Sequence, residues 1–159
     1  MPGSTSKKVV IHRFQREALT GFINPQSWLQ PAGIEMITPS GALLFTPYEE
    51  IKVVSFVINF DGPTPFQERR RFQTRPKHEG LWVRAQFHDN DFQEGILPND
   101  LLAASPYGFQ LSPPDPNSNN QSLFLPKASL KEVHVLAVSG ASGRRKKQPP
   151  TEEQIGLFD

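Results

Sequence analysis

The sequence predicts an all-β protein made from two copies of one small barrel. Three observations carry this. From Lys7 to Val138 the chain runs in short stretches that alternate and are rich in β-branched and aromatic residues. Its longer stretches of helical period are broken by Pro or Gly. Landmarks of the first half also recur, in the same order, in the second.

In the first half the strands are "KKVVIHRF", "ALTGFIN", "GIEMIT", "ALLF" and "IKVVSFVINF". In the second half Leu123-Phe124 repeats Leu44-Phe45, Pro126 repeats Pro47, and Leu130-Lys131 repeats Ile51-Lys52. Upstream, "QFHDNDFQEGILP" resembles "RFQREALTGFINP" with one residue inserted in the turn, so Gly95 matches Gly21. Gly108 matches Gly33, and the second copy then carries the longer loop "DPNSNN". Each copy thus has about five strands in roughly 55 residues, and a sheet that short hides its edges by curling. A glycine in the second strand of each copy permits the bend. "PYEEI" and "PKASL" read as one-turn helices opened by proline before the closing strand. This arrangement resembles the Sm-like small barrel. Trp28 and Trp82 are expected in the core or between the barrels.

The boundaries that follow are a disordered N-terminus (1–6), a first barrel (7–60), a basic Arg-rich linker (61–79), a second barrel (80–139) and a disordered C-terminal tail (140–159). The chain of 159 residues is 36% hydrophobic and has 16 prolines, which fits a modest core with many turns. Its net charge of +1 makes any basic patch local rather than global. It has no cysteine, so disulfides and thiolate metal sites are excluded. "MPGSTSKK" lacks the apolar run of a signal peptide, and no apolar run approaches a membrane span. A cytoplasmic protein without membrane contact is expected.

The linker "DGPTPFQERRRFQTRPKHEG" sets Arg69, Arg70, Arg71, Arg75 and Lys77 against Glu68 and Glu79. Guanidinium groups grip phosphate in a bidentate way, so Arg70, Arg71, Arg75 and Lys77 are candidate anion or nucleotide ligands. "RFQTR" just before a barrel strand also resembles the RxxxR motif of PilZ domains. In that family the two arginines clamp cyclic di-GMP, with a partner motif D/N-x-S-x-x-G after the second strand. The resemblance covers Arg71 and Arg75. It departs at the partner motif, where "NDFQEG" has Phe92 in place of the serine.

No catalytic constellation emerges. His12, His78, His88 and His134 lack metal-ligand spacing, and no GxSxG, P-loop or GxGxxG occurs. Asp89, Asp91, Glu94 and Asp100 cluster near a hairpin, where turn chemistry accounts for the first two. The expectation is a protein that is not an enzyme, with no cofactor and no metal.

After Val138 comes "SGASGRRKKQPP", which reads as a mobile tether. Its Arg144, Arg145, Lys146 and Lys147 offer nonspecific contact to polyanions such as nucleic acid. Gln154-Ile155-Gly156-Leu157-Phe158 follows. It resembles the QxxLF peptide by which bacterial proteins dock on the DNA polymerase sliding clamp. The resemblance implies that Gln154 is held at the pocket mouth through its amide, that Leu157 and Phe158 fill an apolar subsite, and that Ile155 is the favoured aliphatic residue. The leading expectation is a bacterial adaptor with the sliding clamp as its partner. Two others stand beside it: a PilZ-like cyclic di-GMP or anion sensor using the linker, and a structural protein whose barrel edges make an oligomer, as Sm-like barrels do.

Overall fold

A computed structural model of the chain describes residues 6–77, 79–98, 105–115 and 117–140. Among them the fold is all-β. The first copy comprises β1 (Lys7–Arg13), β2 (Arg16–Ile23), β3 (Leu29–Gln30), β4 (Gly33–Ile37), β5 (Leu43–Pro47) and β6 (Ile51–Val57). The second comprises β7 (Gly80–Phe87), β8 (Phe92–Leu97), β9 (Gly108–Leu111), β10 (Asn120–Pro126) and β11 (Leu130–Ser139). Pro47 and Pro126 open one-turn 3-10 helices at Tyr48–Glu50 and Lys127–Ser129, each leading straight into the closing strand of its copy.

Pairing is antiparallel throughout and forms two curled sheets, each a half-barrel. One has eight strands in the order β3-β4-β2-β1-β6-β10-β9, with β5 on the far edge of β4; the other is β11-β7-β8. The register proves the duplication. Val9 faces Gly21 and Phe56, as Val83 faces Gly95 and Val135. Ile11 faces Leu19 and Val54, as Ala85 faces Gln93 and Val133. The closing strand is bulged at the same place in both, so Lys52 and Lys131 are both left without a partner across the ladder. β3 has no counterpart among the described residues.

One expectation needs correcting. The hairpins β1–β2 and β7–β8 match without the inserted residue that residue-by-residue similarity suggested, because Phe14 resembles Phe87 while Arg13 holds its place opposite the start of the closing strand. Side-chain likeness had shifted the match by one position; the pleat does not allow that shift without turning every side chain to the other face.

The bends rest on glycine in both copies. A Cβ on Gly21 would lie 2.6 Å from the Ile37 carbonyl oxygen, and one on Gly95 would lie 2.9 Å from that of Ser112. Ile37 and Ser112 are equivalent: Ile37 pairs with Phe22, and Ser112 pairs with Ile96. The backbone at the end of β4, and just past β9, therefore crosses β2 and β8 at a distance only glycine tolerates.

The copies are joined by β6 and β10. Val57 pairs with Asn120, Phe56 with Ser122, Ser55 with Leu123 and Val54 with Phe124. The closing strand of the first copy, β6, thus pairs with β10, the strand before the closing one in the second. Each of two apolar clusters draws on both copies. One gathers Val9, Ile11, Trp28, Ile51 and Val54 around Phe124, with Tyr107 against it. The other gathers Val83, Phe87, Leu123 and Leu125 around Val53, with Phe14 and Phe66 against it. The ring of Tyr48 stacks on Tyr107 at 5.4 Å. Among the described residues no helix is long and apolar enough to cross a membrane.

Candidate functional site

The Arg-rich joint is the most highly charged part of the described chain, and it is tied down along its length. Thr64 caps the 3-10 turn Pro65–Gln67, where its N–H donates to the Gln67 side chain at 2.9 Å. The Glu68 carboxylate turns away from its arginine neighbours. It accepts hydrogen bonds from the Ser118 hydroxyl, from the Asn119 N–H at 3.1 Å and from the Asn120 amide at 2.8 Å. The Arg70 carbonyl accepts the Glu94 N–H at 2.7 Å. The Phe72 N–H donates to Glu94 Oε1 at 2.9 Å. Arg75 donates to the Val138 carbonyl at 3.2 Å, and the Ser139 hydroxyl donates to the Pro76 carbonyl at 2.8 Å.

Two carboxylates organise this latch. Glu94, on β8, is only 1% exposed. Its oxygens accept from the Arg84 guanidinium at 2.9 and 2.5 Å, from the Trp82 indole at 3.1 Å and from the Phe72 N–H. A buried carboxylate persists only with such compensation. Asp91, in the β7–β8 turn, pairs with the Arg70 guanidinium and with Lys52, whose Nζ lies 3.0 Å away. Lys52 also reaches Asp89 at 2.8 Å and lies over the rings of Phe66, Phe87 and Phe14 at 4.8, 5.2 and 6.0 Å. Burial pushes the Asp89 carboxyl up, but the Lys52 ammonium and the N–H bonds to it prevail and hold it below its ordinary value. Lys131, which holds the same bulge position in the second copy, donates to Asn90 of that turn at 3.1 Å. Equivalent lysines from the two copies therefore converge on one hairpin. Asn90 takes the left-handed conformation the turn requires, with φ 73.

Beside Lys52, His12 is buried, and its Nε2 has no hydrogen-bond partner among the described residues. Burial, then the Lys52 ammonium, lowers its pKa from 6.5 to about 4, so it is neutral near pH 7. Its ring meets Phe66 edge-on at 5.2 Å. His134 lies exposed on β11, 3.2 Å from Glu132. Among the described residues no group of three or more His, Asp or Glu is arranged to hold a metal ion.

The four candidate anion ligands thus have different surroundings. Arg70 is committed to Asp91, and Arg75 to the end of β11. Arg71 lies 5.2 Å from the centre of the Phe92 ring, which Arg70 and Arg84 also flank at 5.6 and 5.5 Å. Phe92, at the place of the PilZ serine, is the ring these cations share. Lys77 is exposed, with no ion pair to a described residue. Sequence reasoning missed Lys52, Glu68 and Glu94 as the organisers of the joint. For Glu94 a signal existed: it sits opposite Arg84 in two strands of matched alternation. His78, Asp100, the tail cations Arg144, Arg145, Lys146 and Lys147, and the motif Gln154, Ile155, Leu157 and Phe158 lie outside the described residues.

A family model described as a family of unknown function, DUF6982, matches residues 5–137. The chain belongs to the DUF6982 family. The DUF6982 match takes in both copies and the joint between them, and it stops upstream of Gln154. No curated protein and no solved structure matches the chain.

Proposed function

We propose that this DUF6982 protein is a non-enzymatic adaptor that docks on the DNA polymerase sliding clamp through Gln154-Ile155-Gly156-Leu157-Phe158. The observation that carries the reading is the sequence of that pentapeptide, downstream of the last strand among the described residues. Among the described residues, both apolar clusters draw on positions upstream of it. In this reading the two-barrel body carries a cargo to the clamp. Arg144, Arg145, Lys146 and Lys147 add attraction to the DNA threaded through the ring.

The joint fits a bracing role better than a ligand site. Arg70, Arg84, Lys52, Asp89, Asp91 and Glu94 are engaged with one another. The test is a pull-down of purified bacterial sliding clamp by the full-length protein. The clamp should be retained by the wild type and lost with Leu157→Ala combined with Phe158→Ala. Equal retention by both, or by neither, contradicts the reading.

A further inference from the structure

We propose that the cleft beside the loop of residues 112–119 is a docking site for guanidinium and ammonium groups, and that its occupant is the chain's own cationic segment, Arg144, Arg145, Lys146 and Lys147. The inference concerns those four residues and not the pentapeptide, so it stands or falls apart from clamp docking.

The loop is where the duplication breaks. It joins β9 to β10 and is longer than the loop of residues 38–42 that joins β4 to β5 in the first copy. With Ile58, just past β6, it walls an open cleft of about 540 Å³. Asp115, Asn117, Ser118, Asn120 and Gln121 line this cleft, and none of its described lining residues is cationic. Residues 112–119 add nothing to either apolar cluster. An enlarged loop that shapes a cleft and not the core is a place for binding.

The wall of the cleft is electronegative and short of donors. Asn120 is 1% exposed. Its Nδ2 donates to the Pro63 carbonyl at 2.9 Å and to Glu68 Oε1 at 2.8 Å, while its Oδ1 has no hydrogen-bond partner among the described residues. An unpaired buried amide oxygen is costly, and a cationic N–H is the strongest donor that can relieve it. Behind Asn120 and Ser118 stands Glu68, whose carboxylate is held by neutral donors. The Asp115 carboxylate accepts the Asn117 N–H at 3.1 Å. Asn119 ties the neighbouring turn, and with it the exposed Asp61, to the same loop through bonds to Asn59 at 2.8 and 3.0 Å. Asp61, Glu68 and Asp115 form no ion pair among the described residues. One described cation is close: the Lys8 ammonium donates to the Ile58 carbonyl at 3.4 Å. Three carboxylates against one ammonium leave the cleft net negative.

Chain length then selects the occupant. Ser139, at the end of β11, pairs with Gly80; Leu81 pairs with Leu97, and Ile96 with Ser112 on the cleft. The end of β11 is therefore three strand spacings from the loop, about 14 Å. It is pinned there, since Arg75 donates to the Val138 carbonyl and the Ser139 hydroxyl to that of Pro76. Residues 140–144 span up to about 17 Å when extended, so Arg144 reaches the near wall and the three cations after it reach further in. These are the same cations that polyanions attract. A docked segment is thus withheld from nucleic acid until the polyanion competes for it.

The chain has no cysteine, so one introduced pair can report on docking. In the full chain carrying Asn117→Cys and Gln148→Cys, equilibration against oxidised and reduced glutathione gives the effective concentration of one thiol at the other. At low salt this should exceed, by at least about tenfold, the value found when Arg144→Ser, Arg145→Ser, Lys146→Ser and Lys147→Ser are added. Asp115→Asn keeps an acceptor for the Asn117 N–H and removes one charge. It should lower the value about twofold to fivefold, the range of one exposed ion pair. About 1 M salt, where the screening length is about 3 Å, should erase these differences. Equal values with and without the four cations, or a value that salt does not move, overturn the proposal. So does a loss caused by the four serines but not by Asp115→Asn, which would seat the cations elsewhere on the body. Disulfide-linked dimers in place of the internal bond would put the segment on a second copy and overturn it as well.

Discussion

The ring of Phe124, on the second copy, meets the indole of Trp28, on the first, edge-on at 5.1 Å. Trp28 in turn meets Phe56 at 5.3 Å, beside the β6–β10 seam. The two barrels therefore share an aromatic core across the strand pair that joins them. Phe124→Ala should cost about 3–5 kcal/mol, the usual range for emptying a buried phenyl site. Chemical denaturation followed by Trp fluorescence and by circular dichroism should give one coincident transition before and after the change. Two separate transitions would mean that the copies fold independently.

Glu94→Leu should be the most damaging change at the joint. It removes the acceptor for the Trp82 indole and the Phe72 N–H and leaves Arg84 without its partner. A stranded donor costs about 1–3 kcal/mol when fully buried and less for these half-buried ones, while Glu94→Gln keeps an acceptor and should cost less still. Hydrogen exchange at the Phe72 amide should accelerate in Glu94→Leu. Unchanged exchange would show that the latch does not hold the linker.

Acid should weaken the fold through His12. Its pKa is about 4 in the folded chain, against 6.5 in the reference state. Between those values the unfolded chain binds the proton and the folded chain does not, so stability falls as pH drops from 6.5 toward 4. At about 1.36 kcal/mol per pH unit, the loss across that window is on the order of 3 kcal/mol. Asp89, held low, acts further down the acid scale: its contribution is present above the unfolded carboxylate value and is lost as pH falls through its folded one. His12→Leu should flatten denaturation midpoints between pH 6.5 and 4. A slope unchanged by the substitution would assign it to other groups.

The arginines of the linker can be sorted by experiment. Arg71→Ala with Arg75→Ala should weaken retention on a phosphate-bearing resin and change the melting temperature little, since exposed charge contacts contribute about 0–1 kcal/mol each. Arg70→Ala should instead lower stability, because it takes from Asp91 one of its two cationic partners and leaves it Lys52 alone. Equal retention of the double variant and the wild type would leave the cluster no anion-binding role.

Much of the fold was legible because the duplication is written in its least replaceable residues. Gly21 and Gly95 are fixed by the approach of a backbone carbonyl, and Pro47 and Pro126 by the turn each one opens. The seam was not legible. Val54 and Val133 sit in strands of the same pattern, and nothing local says that the first is covered by β10 and the second lies at an open edge. The joint was half legible. Arginine density marked it, but Glu68 looked like a local counter-charge when its partners are Ser118 and Asn120, some fifty residues away. Glu94 was grouped with turn acids because burial of a carboxylate depends on donors from two other segments, the joint and β7.

The central functional claim is tested most directly by titrating purified sliding clamp into a fluorescent peptide spanning Pro149 to Asp159 and reading anisotropy. The account predicts a dissociation constant on the order of micromolar, since a short peptide loses conformational freedom on docking. Leu157→Ala with Phe158→Ala removes two apolar anchors worth about 1.5–3 kcal/mol each, so binding should weaken at least about a hundredfold. Gln154→Ala should cost about 0.5–1.5 kcal/mol, one net hydrogen bond. No rise in anisotropy at high micromolar clamp, or equal binding by the double-alanine peptide, would contradict the claim.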